Sequence, residues 1–322
     1  MLSELAAPQN VLHPHSHAAA DIANLFWWMM GGAFIGLALV SGLLIWAWVR
    51  RNRRGFTAAD AEDPHPGEKA GWFVVVGGGV VLALATVTTV FIVSAKVMGV
   101  TEAPAATSTA VTIDVIGHQW WWEVRYPGTT AVTANEIHIP VRTRVNLVVS
   151  TDDVIHSFWV PELNRKIDTI NGQTNRVLLY ANRVGVYRGT CAEYCGLQHA
   201  HMAMLVLAQP LAAYRAWLRG QARPAAAPAG TLQRTGERVF LAGACSSCHT
   251  IRGTSAHGFT GPDLTHVASR QTLAAVTIPN RRADLGDWIV DSQHVKPGNE
   301  MPDIQLSGRQ LQAVVAYLEH LR

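Results

Sequence analysis

The 322-residue sequence predicts a membrane-anchored multidomain protein: a two-helix transmembrane hairpin, then a β-sandwich, then a small α-helical domain. Three observations predict it. Two long uncharged apolar runs stand near the amino terminus. Short Thr/Val/Ile-rich runs separated by turn residues fill the middle. A C-x-x-C-H motif opens a helix-patterned final third. Mean hydropathy is positive, as membrane segments require. A net charge of +3 without a basic stripe argues against a nucleic-acid partner.

Residues 1–23 contain no Lys or Arg, unlike the basic start of a signal peptide, and are expected to form an extracytoplasmic tail. His13, His15 and His17 read as a flexible polar segment within it. The hairpin is placed at 24–99, with spans at about 25–49 and 70–97. The uncharged run Leu25–Val49 extends about 37 Å as a helix, against a hydrocarbon core of about 30 Å. Trp27, Trp28, Trp46 and Trp48 lie near its ends, where amphipathic rings favour the interface. Arg50, Arg51, Arg53 and Arg54 separate it from the second run. The positive-inside rule therefore puts this loop in the cytoplasm and both termini outside. Gly77–Gly79 lacks phosphate-loop spacing and reads as close helix packing.

Residues 100–218 carry strand patterns at Val111–Ile116, Glu136–Pro140, Arg144–Val149, Arg176–Tyr180 and Met202–Leu207, with Pro127-Gly128 and Asn171-Gly172 as turns. Closely spaced short strands of this kind indicate a β-sandwich, which a Greek-key topology fits. His118 and His138 fall in strands and read as structural. A short helix over Leu211–Leu218 closes the domain. The Pro/Ala-rich stretch 219–231 reads as a partly extended tether. In 232–322, Cys245-Ser-Ser-Cys248-His249 is a c-type haem attachment motif, with His249 as an iron ligand. Met301, His257, His266 and His294 are the candidates for a second axial ligand. The chain ends in a helix within Leu306–Leu321, capped by Ser307, with Leu311, Val314, Val315 and Leu318 on one face.

The four cysteines are Cys191, Cys195, Cys245 and Cys248, and both pairs sit in metal or haem motifs. Cys191, Cys195, His199 and Met202 lie on one loop, with His156 upstream. Soft sulfur with imidazole suits copper. Zinc is the alternative for two Cys and two His, and Met202 as an added soft donor argues against it. Spacing alone leaves His199 and His201 both open.

The run C-x-E-x-C-x3-H-x2-M, with Asp153-Val-Ile-His156-Ser and Gly117-His-Gln-Trp120-Trp-Trp upstream, resembles subunit II of cytochrome c oxidase over roughly residues 20–218. The last third resembles a class I cytochrome c, so the whole chain resembles the caa3-type subunit in which the two are fused. That resemblance implies a cupredoxin-like Greek-key sandwich and a dinuclear copper centre (CuA). Its ligands would be His156, Cys191, Cys195, His199, Met202 and the Glu193 carbonyl. The Glu193 carboxylate would help hold Mg2+ or Mn2+ at the border with subunit I. Trp120, with Trp121 beside it, would receive electrons above the copper. Haem c would be bonded to Cys245 and Cys248, with His249 and Met301 as axial ligands.

The implied function is electron input to a haem–copper oxidase, from a cytochrome c or a quinol:cytochrome c reductase complex. Electrons would run through haem c and CuA to subunit I, which reduces oxygen to water and pumps protons. This chain would hold no catalytic residue. Subunit I, subunit III, further small subunits and the bacterial plasma membrane are the implied partners, with both redox domains on the periplasmic side. A CuA-containing nitric oxide reductase subunit is the alternative. Glu68 is the candidate counterpart of an acidic residue at a proton-channel mouth, and Asn171-Gly172 stands where the family commonly has Pro-Gly.

Overall fold

The computed structural model describes residues 9–53, 71–101 and 109–322. Glu68 lies outside the described residues. Helix α1 spans His17–Arg53. A π-helical turn at Phe73–Gly77 leads into α2, Gly78–Thr101. Both helices are apolar all round and expose that surface: Ile35 is 71% and Leu44 66% exposed. Such a surface is stable against lipid and unstable against water. Two threonines within α2 satisfy their own hydroxyls, Thr86 and Thr89 donating to the carbonyls of Leu82 and Ala85 (2.8 and 2.7 Å).

The helix begins eight residues earlier than the hydrophobic run suggested, and the segment before it is not a loose tail. Ser16 Oγ accepts from Ala19 N at 2.9 Å, capping α1, and itself donates to the Leu163 carbonyl. The His15 backbone bonds Glu162 and Asn182, and its ring lies against Tyr187. Histidines that looked like polar filler are thus packed on the sandwich.

The sandwich contains ten strands. They are β1 Val111–His118, β2 Trp121–Arg125, β3 Val132–Ala134, β4 Glu136–Pro140, β5 Val145–Thr151, β6 His156–Trp159, β7 Ile167–Thr169, β8 Asn175–Leu179, β9 Gly185–Cys191 and β10 Ala203–Gln209. They form two five-stranded sheets, β3-β2-β1-β5-β8 and β4-β10-β9-β6-β7. The pairs β1–β5 and β4–β10 are parallel and the others antiparallel. Alternate residues such as Ile113, Val115, Leu147, Val149 and Val206 point into one shared core. Helix α3, Leu211–Gln221, closes the domain.

The last domain comprises α4 Thr231–Ala242, the short α5 Cys245–Cys248, a hairpin of β11 Thr272–Leu273 and β12 Ile278–Pro279, α6 Arg282–Val290, α7 Ser292–Val295 and α8 Gly308–Leu318. A capping box of Ser307 and Gln310 starts α8, whose buried Val314, Val315 and Leu318 pack with Phe240 of α4.

The stretch expected to be a partly extended tether is fastened down. His266 donates to the Arg223 carbonyl (2.9 Å), His320 to that of Ala227 (3.0 Å), and Ala225 N bonds the Arg252 carbonyl (2.8 Å). The Arg252 guanidinium reaches back to the carbonyls of Gln221 and Thr130, each at 2.5 Å. Proline and alanine offer no side chain to anchor, but their carbonyls remain acceptors that a neighbouring domain can satisfy.

Candidate functional site

Strand register assembles the first donor set. In the β6–β9 pair Phe158 faces Cys191. His156, two residues before Phe158, points to the same side of the sheet. The β9–β10 connection then brings round Glu193, Cys195, His199 in a 3₁₀ turn, and Met202. Gly117 of β1 makes room, because a Cβ there would stand 2.8 Å from the His156 ring.

The separations are those of a metal cluster. Cys191 Sγ lies 3.8 Å from Cys195 Sγ and 3.9 Å from His156 Nδ1. Cys195 Sγ lies 3.6 Å from His199 Nδ1 and 3.8 Å from Met202 Sδ, and the Glu193 carbonyl is 3.2 Å from Cys191 Sγ. Two sulfurs each about 2.3 Å from one tetrahedral ion stand about 3.8 Å apart, whereas a disulfide needs about 2.05 Å. Both cysteines are free and buried. The hydrogen bond from Cys195 pulls the Cys191 thiol well below its ordinary range and pushes Cys195 up, so the pair gives up a first proton readily and holds the second.

His156 is fully buried, which disfavours its charge, yet bonds to Asp153 and Cys191 lift its pKa. Its Nε2–H donates to Asp153 Oδ1 at 2.8 Å, leaving Nδ1 toward the sulfurs. Asp153 is an orienting residue that sequence reasoning missed, although it sits three positions upstream. His201 is exposed and bonded to Gln198 (2.8 Å), away from the cluster. The Glu193 carboxylate is half exposed and 3.4 Å from Lys166 Nζ. His118 stacks on Trp121, and His138 on Trp217.

The second set lines a cavity in the final domain. Cys245, Cys248, His249 and Met301 all border it, among apolar walls that include Leu285, Trp288 and Ile289. His249 Nδ1–H donates to the Pro262 carbonyl at 2.8 Å, which leaves Nε2 free to bind iron. Burial depresses the His249 pKa, keeping the ring neutral as a ligand must be. Gly261 supplies the cradle: a Cβ there would lie 2.6 Å from the His249 ring. His257, His266 and His294 do not border the cavity. Free thiols, a tautomer-locked imidazole and a thioether around an apolar cavity fit a covalently bound haem.

The two sets are joined through Trp120. It borders the cavity, and its Nε1–H donates to the Cys195 carbonyl at 2.9 Å, beside Gln119 Nε2 at 2.8 Å. Around it the two domains dock through groups that only the folded chain brings together. Gln198 donates to the Pro297 carbonyl (2.6 Å), and buried Lys296 donates to that of Trp120 (3.0 Å). Buried Glu136 accepts from Gln271 N and Thr272 N (2.6 and 3.1 Å). Val276 packs on Ala203, Leu205 and Leu207 of β10.

Residues 129–209, which include all six donors of the first set, match the family model for the periplasmic domain of cytochrome c oxidase subunit II, and residues 233–322 match that for cytochrome c. Cytochrome c oxidase subunit 2 of Alkalihalophilus pseudofirmus is 36% identical over 244 residues, covering 76% of this chain and 69% of that protein. Its namesake from Bacillus sp. (strain PS3) is 30% identical over 255 residues, covering 75% and 70%. The crystal structure of the periplasmic domain of subunit II of cytochrome oxidase from Bradyrhizobium japonicum is 28% identical, covering 34% of this chain and 92% of that one, with a TM-score of 0.34.

Proposed function

Because the chain belongs to the cytochrome c oxidase subunit 2 family and carries a cytochrome c domain at its C-terminus, we propose that it feeds electrons to a haem–copper oxidase through two centres of its own. The observation that carries this reading is Trp120, which borders the cavity of His249 and Met301 and hydrogen-bonds the carbonyl of Cys195.

In this reading Cys245 and Cys248 would hold haem c covalently, and His249 and Met301 would serve as its iron ligands. A dinuclear copper pair is held by His156, Cys191, Cys195, His199, Met202 and the Glu193 carbonyl. When bound, these groups supply one-electron chemistry. The protein supplies the rest. Pro262 fixes the His249 tautomer and Asp153 that of His156. The sandwich core excludes water from the thiolates, and Trp120 with Trp121 forms the contact between the two sites. Electrons enter from a cytochrome c or a quinol:cytochrome c reductase complex and leave for the haem of subunit I, where oxygen is reduced to water and protons are pumped. Docking the donor domain replaces diffusional capture of a separate cytochrome.

Helices α1 and α2 anchor the chain in the bacterial plasma membrane, against subunit I and with subunit III and smaller subunits nearby. The Arg50–Arg53 end of α1 faces the cytoplasm, and both redox domains the periplasm. The Glu193 carboxylate takes part in a Mg2+ or Mn2+ site shared with subunit I. Binding there exchanges the Lys166 ammonium for the metal, at an exposed position where the ion pair contributes under about 1 kcal/mol.

Metal analysis with electron paramagnetic resonance on the purified chain tests the reading. Two coppers and one iron per chain, with one unpaired electron spread over both coppers, is the expected result. Zinc, or one copper with a single-ion spectrum, refutes the dinuclear centre. Co-purification with a nitric-oxide-reducing rather than an oxygen-reducing partner refutes the oxidase assignment.

A further inference from the structure

Lys296 is a buried cation that docking alone does not explain. The residue is 3% exposed, and its ammonium donates to the Trp120 carbonyl at 3.0 Å. Among the described residues no carboxylate pairs with it. Burying an ammonium without a carboxylate partner costs several kcal/mol: burial lowers the Lys296 pKa to about 8, against the opposing pull of Cys195, and an apolar side chain of similar length would fill the space without that cost. The ammonium also stands at a particular place. Lys296 borders the cavity of His249 and Met301, and the residue it grips carries the indole that bonds the Cys195 carbonyl.

We propose that Lys296 is a positioning residue for electron transfer between the two centres, holding Trp120 in place and setting a positive field that favours the electron at both. The inference rests on the reading given under Proposed function. The transfer moves one electron: the iron is oxidised, the copper pair is reduced by the same electron, and no bond or proton changes hands. While protonated, an ammonium held in a water-poor interface stabilises the reduced form of each neighbouring centre, because low local polarity leaves its charge weakly screened. The hydrogen bond to Trp120 fixes the contact geometry, while the charge sets the potentials, so the two roles are separable by substitution.

The test uses the full chain in detergent with both cofactors loaded. Midpoint potentials of haem and copper are read by spectroelectrochemistry, and the interdomain electron-transfer rate by flash photolysis. K296M removes both hydrogen bond and charge. K296Q keeps a donor for Trp120 but removes the charge, and serves if K296M misfolds. K296R keeps both. Lower potentials at both centres in the neutral variants are expected, with a rate at least tenfold lower in K296M and near-wild-type values in K296R. Neutral variants that carry both cofactors and keep wild-type potentials overturn the proposal, as does an equal shift in K296R. A wild-type chain that binds no copper pair or no haem fails at the earlier step, refuting the reading beneath it.

Discussion

Replacing Glu136 with Gln tests the interface between the two redox domains. Glu136 is 1% exposed and accepts backbone hydrogen bonds from Gln271 and Thr272 through Oε1. Burial raises its pKa from 4.5 to about 7, against the lowering effect of those bonds and of Arg270. Its neighbour His138, 4.0 Å away, is pushed by burial down to about 4. Between those two values both groups are neutral, so their contact is not an ion pair.

The raised carboxyl costs nothing below pH 4.5, where it is protonated in both folded and unfolded chains. From there to about pH 7 the folded state keeps a proton that the unfolded state has lost, so stability falls as pH rises. At about 1.36 kcal/mol per pH unit, the interval from 4.5 to about 7 amounts to ~3 kcal/mol. Gln is isosteric, never ionises, and still offers Oε1 to both N–H groups. E136Q should therefore gain on wild type by ~3 kcal/mol between pH 4.5 and 8, levelling off above pH 7. His138 has the opposite slope, its contribution being lost as pH falls from 6.5 toward 4, but it is present in both proteins and cancels in the difference. The assay is denaturant unfolding of the detergent-solubilised holoprotein across that pH range, read by tryptophan fluorescence. A difference that stays flat or shrinks with pH would mean that Arg270 holds the carboxylate ionised, and would refute the reasoning.

Three further outcomes follow from packing and orientation. Gly236→Ala puts a Cβ 1.9 Å from the Ala313 carbonyl oxygen where α4 crosses α8. The gain of about 1 kcal/mol in helix propensity is outweighed by overpacking of about 1–3 kcal/mol or more, so the haem-monitored Tm should drop, and an unchanged or higher Tm contradicts the crossing. Asp153→Ala frees the His156 ring and should weaken copper binding about 10–100-fold, measured by chelator competition; equal affinity removes Asp153 from the site. Gly261→Ala drives a methyl into the His249 ring and should lower the fraction of chain carrying six-coordinate haem, which absorption spectra report; full incorporation would show that the cradle is dispensable.

Much of the site was legible because its chemistry is local. Cys191, Cys195, His199 and Met202 sit on one loop, and Cys245 and Cys248 on one short helix with His249 directly after it, so short spacing brings these donors within reach of one another. His156 was identifiable only through its motif, since strand register rather than sequence distance carries it to the cysteines. Element limits were less legible. α1 starts at His17 because Ser16 and the Glu162–Leu163 backbone cap and anchor it, and no hydrophobicity pattern records an anchor contributed from the far end of a domain.

The amino-acid sequence by itself determined the two apolar helices, the alternation that makes a sandwich, and the candidate donor groups Cys191, Cys195 and Met202, and Cys245, Cys248 and His249, since each depends on residue type at short separation. Only the tertiary structure decided that His199 and not His201 faces the thiols, and that Asp153 and Pro262 orient the two histidines. It alone decided that the proline-rich stretch is strapped down and that Lys296 and Glu136 lie buried between the redox domains. Those facts depend on which surfaces meet. A buried charge looks the same in sequence as an exposed one until a second domain takes away its water.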